Sequence, residues 1–133
     1  QPAIPLFVRV SASEWREDGF TPAEARTVAA WLAEDGVDLI DVSSGGNVPD
    51  APIQIGPGYQ VPFAATVRES GVPVSAVGMI TSAAQAETIL RAGLADAVSV
   101  GRPLLSDPHL PLRWARELRA EPPVPASYWR AGI

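Results

Sequence analysis

The sequence predicts an α/β fold, half of a (β/α)8 barrel built from strand–helix units. Three observations predict it. Apolar, β-rich runs begin near residues 6, 37, 73 and 96, each followed by a loop and a helical pattern. Such alternation implies right-handed βαβ units and a parallel sheet. The runs are nearly continuous in apolar residues, as strands buried on both faces are. An open doubly wound sheet would share these features. However, no G-x-G-x-x-G follows the first strand, and glycine turns after the last two suit the phosphate seat that barrels carry after strands seven and eight.

Each element has a local reason. Leu6–Ser11 is the first strand. Thr21-Pro22-Ala23-Glu24 is a capping box with proline at the first helical position. Ala25, Val28, Ala29 and Leu32 continue at helical spacing, and Gly36 stands where a C-terminal cap belongs. Val37–Val42 is the second strand and ends in Ser43-Ser44-Gly45-Gly46. Residues 46–62, with four prolines and four glycines or asparagines, make a long loop of the kind that is usually functional or mobile. A short helix follows from about Pro62 to Ser70, closed by Gly71. The third strand, 72–77, ends at Gly78-Met79-Ile80. Thr81 or Ser82 caps a helix over 83–92, with Gln85 completing a box from Ser82 and Gly93 ending it. Ala95–Val100 is the fourth strand. No helix start is visible until Asp107-Pro108, which opens a last helix to about Ala120. The barrel segment is thus 1–120, and an irregular proline-rich tail occupies 121–133.

The bulk numbers exclude several function classes. With 133 residues, 47% apolar and 19% charged, the chain is an ordinary globular domain rather than a disordered one. A net charge of −5 and scattered arginines argue against a nucleic-acid partner. No apolar run approaches the roughly 18–20 residues that cross a bilayer, so no membrane role is expected. Cysteine is absent, which removes disulfides, thiolate metal sites and cysteine nucleophiles, and suits a cytoplasmic setting. All ten basic residues are arginine, so no Schiff-base or P-loop lysine is available. The opening Gln1-Pro2-Ala3-Ile4-Pro5 runs straight into a strand without an initiator methionine, as expected for a piece of a longer chain.

Candidate site residues gather at carboxyl ends of strands, where such folds place their sites. Gly78 and Gly101-Arg102 are the sharpest set. Glycines there let backbone N–H groups approach a phosphate closely, and Arg102 adds a charge-assisted contact. The plainer reading is that both glycines only make tight turns and that Arg102 pairs with Asp107. Arg9, between Val8 and Val10, points opposite to both, toward the barrel mouth or the helices. Its partner is either an internal carboxylate such as Asp38 or Asp41, or an anionic ligand. Ser43 and Ser44 either satisfy turn backbone or touch a ligand. His109, the only histidine, is read as a surface or structural residue, with no dyad and no metal set around it. Trp15, Trp31 and Trp114 are read as packing residues. Tyr128-Trp129-Arg130 has nothing local to pack against and is read as docking on a neighbouring surface.

Together these pieces resemble the old yellow enzyme family of FMN-dependent ene-reductases, in its thermophilic-like subclass. The matching strings are "PLFVRVSASEW", "GVDLIDVSSGG", "PGYQVPFA", "AVGMITSAAQAE", "ADAVSVGRPLLSDP" and "PASYWRAG", which span nearly the whole chain in the family's order. The match corresponds to the C-terminal half of the family's barrel. The resemblance implies FMN as cofactor and NAD(P)H as reductant. Arg9 would lie beside the pyrimidine edge of the isoalloxazine and stabilise the anionic reduced flavin. Ser43 would face the flavin or its ribityl chain, and Gly78, Gly101 and Arg102 would hold the phosphate. Arg130 would reach into the partner subunit's active site, with Tyr128 as its packing companion, in a dimer or tetramer. Hydride would pass from NAD(P)H to N5 of the flavin, and from there to the β-carbon of an alkene activated by a carbonyl group.

The family's substrate-anchoring histidine pair (or histidine–asparagine), its proton-donating tyrosine and its flavin-tuning cysteine or threonine belong to the N-terminal half. No catalytic residue is therefore assigned here, and the chain alone is expected to be inactive without that half. A rival reading is a non-catalytic half-barrel that self-associates and retains a flavin or phosphate site. A third, a dienoyl-CoA reductase or amine dehydrogenase, fits less well, because the tail "PASYWRAG" leads directly to the C-terminus.

Overall fold

A computed structural model of the chain describes residues 4–122 and 124–131. The elements run β1 (Phe7–Ser11), α1 (Pro22–Glu34), β2 (Leu39–Ser43), α2 (Val61–Arg68), β3 (Val74–Ala76), α3 (Ala83–Arg91), β4 (Ala97–Val98), α4 (Arg102–Ser106) and α5 (Leu110–Glu117). The strands form one parallel sheet in the order β1-β2-β3-β4. Each right-handed crossover steps the same way along such a sheet, so the helices collect on one face. A doubly wound sheet reverses its order and covers both faces. This order is the barrel's, and the expected four βα units are present.

The helix-facing core is built from small and β-branched side chains. Ile40, Val42, Val67 and Val74 are fully buried. Ala25 and Ala29 of α1 are also buried, and their size lets that helix lie close to the sheet. The helix starts as its sequence dictates. The Thr21 hydroxyl accepts from the Glu24 N–H at 3.3 Å, and the Glu24 carboxylate accepts from the Thr21 N–H at 2.8 Å. Ser82 caps α3 by accepting from the Gln85 N–H at 3.2 Å. Among the described residues no helix is long and apolar enough to cross a membrane.

The amino ends of the strands are closed by carboxylates. Asp38, just before β2, accepts the Leu6 N–H at the start of β1 at 2.8 Å. Asp96, just before β4, accepts the Val74 N–H at the start of β3 at 3.0 Å. Arg68 donates to both oxygens of Asp96, at 2.9–3.1 Å. That forked hydrogen bond, helped by the Val74 N–H and the arginine's charge, holds the Asp96 carboxyl below its ordinary pKa although partial burial opposes the shift.

Four expectations need correction. A helix does start directly after the fourth strand: Pro103 sits in the first turn of α4, with Gly101 as an N-cap that lacks a side-chain bond. Asp107 ends that helix in an extended conformation, φ −141° and ψ 96°, because Pro108 disfavours the helical region at the residue before it. The last helix therefore begins at Leu110 rather than Pro108 and stops at Glu117. The tail is not wholly irregular, since Ala126–Ala131 form a 3-10 helix. Trp31 is not a packing residue. It is 60% exposed, about 200° around α1 from buried Ala29.

Candidate functional site

Arg9 is delivered by alternation. Val8 and Val10 pack against the core, so Arg9 projects from the opposite face, and it stands in register with Asp41 on β2. Its Nε lies 3.3 Å from Asp41 Oδ2, and the arginine side chain is 58% exposed. Asp38 is engaged at the other end of the sheet, so Asp41 is the internal carboxylate. The pairing does not withdraw Arg9 from the mouth, because it still lines the main cavity there.

That cavity, about 680 Å³, opens at the carboxyl ends of the strands, and it gathers Arg9, Ser43, Gly78, Gly101 and Arg102. The volume lies in the range of small-molecule and cofactor sites, about 300–1,000 Å³. Ser43 reaches it while its hydroxyl donates to the Val10 carbonyl at 3.1 Å, so its hydrogen bond is to backbone. Arg102 is exposed and makes no ion pair among the described residues. Asp107, its expected alternative partner, instead forms an ion pair with Arg113 at 2.6 Å. A Cβ at Gly101 would meet nothing within 4 Å, so the backbone there faces open space. Among the described residues, the N–H groups of Gly101 and Arg102 donate to no protein atom. An unpaired guanidinium beside unpaired N–H groups, in a cavity of this size, is the donor set that an anionic group such as a phosphate needs.

Gly78 is fixed by its neighbours as well as by the cavity. Its φ is +119°, and a Cβ would stand 2.8 Å from Gln60 Nε2. Met79 follows at φ 51°, so two successive residues hold left-handed backbone where β3 surfaces.

Gln60 is a site residue that the sequence reading missed. Nearly buried at 4% exposure, it donates to the Val77 carbonyl at 3.0 Å and accepts from the Ser44 hydroxyl at 2.8 Å. Ser44 in turn accepts from the Trp15 indole N–H at 3.0 Å, and Trp15 packs edge-on against Phe63 at 5.2 Å. The chain of contacts joins the ends of β2 and β3 through the long loop. A glutamine among prolines and glycines carries no local signal of this, since its partners lie 16 and 17 residues away. Tyr128 and Arg130 are exposed and do not line the cavity; His109 is exposed too.

Comparison with known proteins agrees with this geometry. The sequence model of the NADH:flavin oxidoreductase / NADH oxidase family matches residues 2–121. An NADPH dehydrogenase of Geobacillus thermodenitrificans is 50% identical over 127 residues, which are 95% of this chain and 37% of that protein. An NADPH dehydrogenase of Bacillus subtilis is 48% identical over 127 residues, again 95% of this chain and 37% of that protein. The chain thus spans little more than a third of these relatives' length, in their C-terminal part. A crystal structure of DHODH from Eimeria tenella, in complex with ferulenol, superposes with a TM-score of 0.55 at 19% identity, covering 88% of this chain and 35% of that one. That neighbour is a (β/α)8 barrel, so the four units here are half of such a barrel. With its matched segment running through every strand and α-helix described above, the chain belongs to the NADH:flavin oxidoreductase / NADH oxidase family.

Proposed function

We propose that this chain is the C-terminal part of an FMN-dependent NAD(P)H oxidoreductase that reduces C=C bonds conjugated to a carbonyl group. The observation that carries the reading is the convergence of Arg9, Ser43, Gly78, Gly101 and Arg102 on one cavity at the carboxyl ends of the strands. Family membership supports FMN as cofactor and NAD(P)H as reductant. Bound there, FMN supplies hydride transfer between nicotinamide and substrate. Arg102 and the backbone of Gly78 and Gly101 hold its phosphate. Arg9 offers positive charge to the ring edge, and Ser43 lies between the two. Residues 1–120 form this half of the barrel, while the tail docks on a second copy of the protein, presenting Tyr128 and Arg130, in a dimer or tetramer. Substrate handling and proton delivery belong to the N-terminal half, so this segment alone is inactive. A cytoplasmic setting suits a chain without cysteine.

The test is to purify the complete barrel and read its flavin absorbance and its NADPH oxidation with and without a cyclic enone. Stoichiometric FMN and enone-dependent oxidation are expected. A colourless, correctly folded barrel overturns the reading. The exposed sheet face, with Phe7 62% exposed on edge strand β1, favours a second outcome for the segment made alone. In that form it is expected to self-associate to cover that face.

A further inference from the structure

Beneath the mouth cavity, a line of polar side chains crosses the sheet on the face away from the helices. Arg9 on β1 lies against Asp41 on β2, whose Oδ1 accepts from the Ser99 hydroxyl at 3.2 Å. Ser99, just past β4, lies 2.7 Å from the hydroxyl of Ser75 on β3. Proton counting orients this chain. Ser99 has one hydroxyl hydrogen and gives it to Asp41, so Ser75 donates to Ser99. Ser75 is only 3% exposed, which anchors the far end in the sheet. All four strand units thus contribute one member.

The placement matters because a second cavity lies on this inner face. Arg9 and Ser99 are the two residues that line both cavities, and they are the two that contact Asp41. Asp41 approaches Arg9 through Nε, and among the described residues neither terminal amino group of Arg9 hydrogen-bonds a protein atom. The carboxylate therefore restrains the stem side of the guanidinium and leaves its outer fork available.

We propose that Asp41, fixed by Ser99 and Ser75, is a positioning residue that aims the fork of Arg9 at the flavin's pyrimidine edge. This rests on the reading that FMN occupies the mouth. Asp41 could affect the flavin in two ways, and they have opposite signs. As a bare negative charge it would dilute Arg9, so its removal would raise the reduction potential. As a positioning residue it keeps Arg9 in place, so its removal lowers the potential.

The experiment uses the complete FMN-loaded barrel, with reduction potential and FMN dissociation constant as readouts. Asp41→Asn is expected to lower the equilibrium constant for flavin reduction about tenfold, about 30 mV for a two-electron couple. Arg9→Met is expected to lower it further, and adding Asp41→Asn to that variant is expected to change nothing more, since Asp41 acts through Arg9. Asp41→Glu is expected to recover part of the loss. If Asp41→Asn does not fold, Ser99→Ala carries the same test, with a shift of the same sign and about threefold. A raised or unchanged potential in Asp41→Asn or Ser99→Ala, or additive effects with Arg9→Met, overturns the positioning role. A wild-type barrel without FMN overturns the function itself, and that outcome is visible before any variant is made.

Discussion

The two ends of the sheet treat charge in opposite ways. At the amino ends, two carboxylates are consumed by the fold. Asp38 and Asp96 precede alternate strands and tie down the start of the strand before, and Arg68 forks onto Asp96. At the carboxyl ends, Arg102 has no carboxylate among the described residues, and the N–H groups of Gly101 and Arg102 have no protein acceptor. The same residue type thus serves stability at one end and is held in reserve at the other. In barrels, sites belong to the carboxyl end and stabilising contacts to the amino end. An arginine left unpaired beside a cavity is therefore better evidence of a ligand than an arginine's presence alone.

This contrast can be broken from either side. The largest effect is expected from Arg102→Ala in the complete barrel. Loss of a charge-assisted contact worth about 1.5–3 kcal/mol should weaken FMN binding by about 10- to 150-fold. Because Arg102 supports nothing else, urea unfolding without flavin should move by less than about 0.5 kcal/mol. An equal loss of stability and affinity would mean that the two ends do not differ.

Gly78→Ala should damage both properties. A side chain at φ +119° is strained, and its Cβ would press on Gln60 Nε2 from 2.8 Å. A cost of about 1–3 kcal/mol is expected in urea unfolding, together with weaker FMN binding. Weaker binding with full stability would show that Gln60 can move aside.

The smallest effect belongs to Asp96→Asn at the amino end. Asp96 and Arg68 keep 35% and 42% of their side-chain surface exposed, so solvent limits the loss to about 0.5–1 kcal/mol. FMN affinity should not change. The pH dependence has a definite sign. A folded-state pKa below the ordinary carboxylate value means that the contribution is complete above about pH 4 and fades as pH falls through the lowered value. The gap between wild type and Asp96→Asn should therefore close in acid, and a gap that widens there would refute the pairing.

Much of this was legible in the residues. The Thr21–Glu24 box, the Ser82 cap and the alternation that isolates Arg9 are local signals, and the fold obeys them. The elements that were not legible failed for identifiable reasons. Helix α4 has no polar cap to announce it, and its only marker is Pro103. Trp31 could have been placed outside by counting around the helix from Ala29. Gln60 could not have been placed, because its partners meet it only after β2 and β3 have paired. The Asp41–Ser99 contact spans 58 residues and has no sequence signature either.

The long loop has a further consequence. Its composition suggests a flap, yet Gln60 joins it to both strand ends, and the Gly58 N–H donates to the Gly78 carbonyl at 2.9 Å. The stretch held this way, residues 58–60, has already given up its conformational freedom during folding. A ligand entering the mouth then meets a preorganised surface there and has little chain left to order, so contacts made at that stretch count almost fully toward affinity.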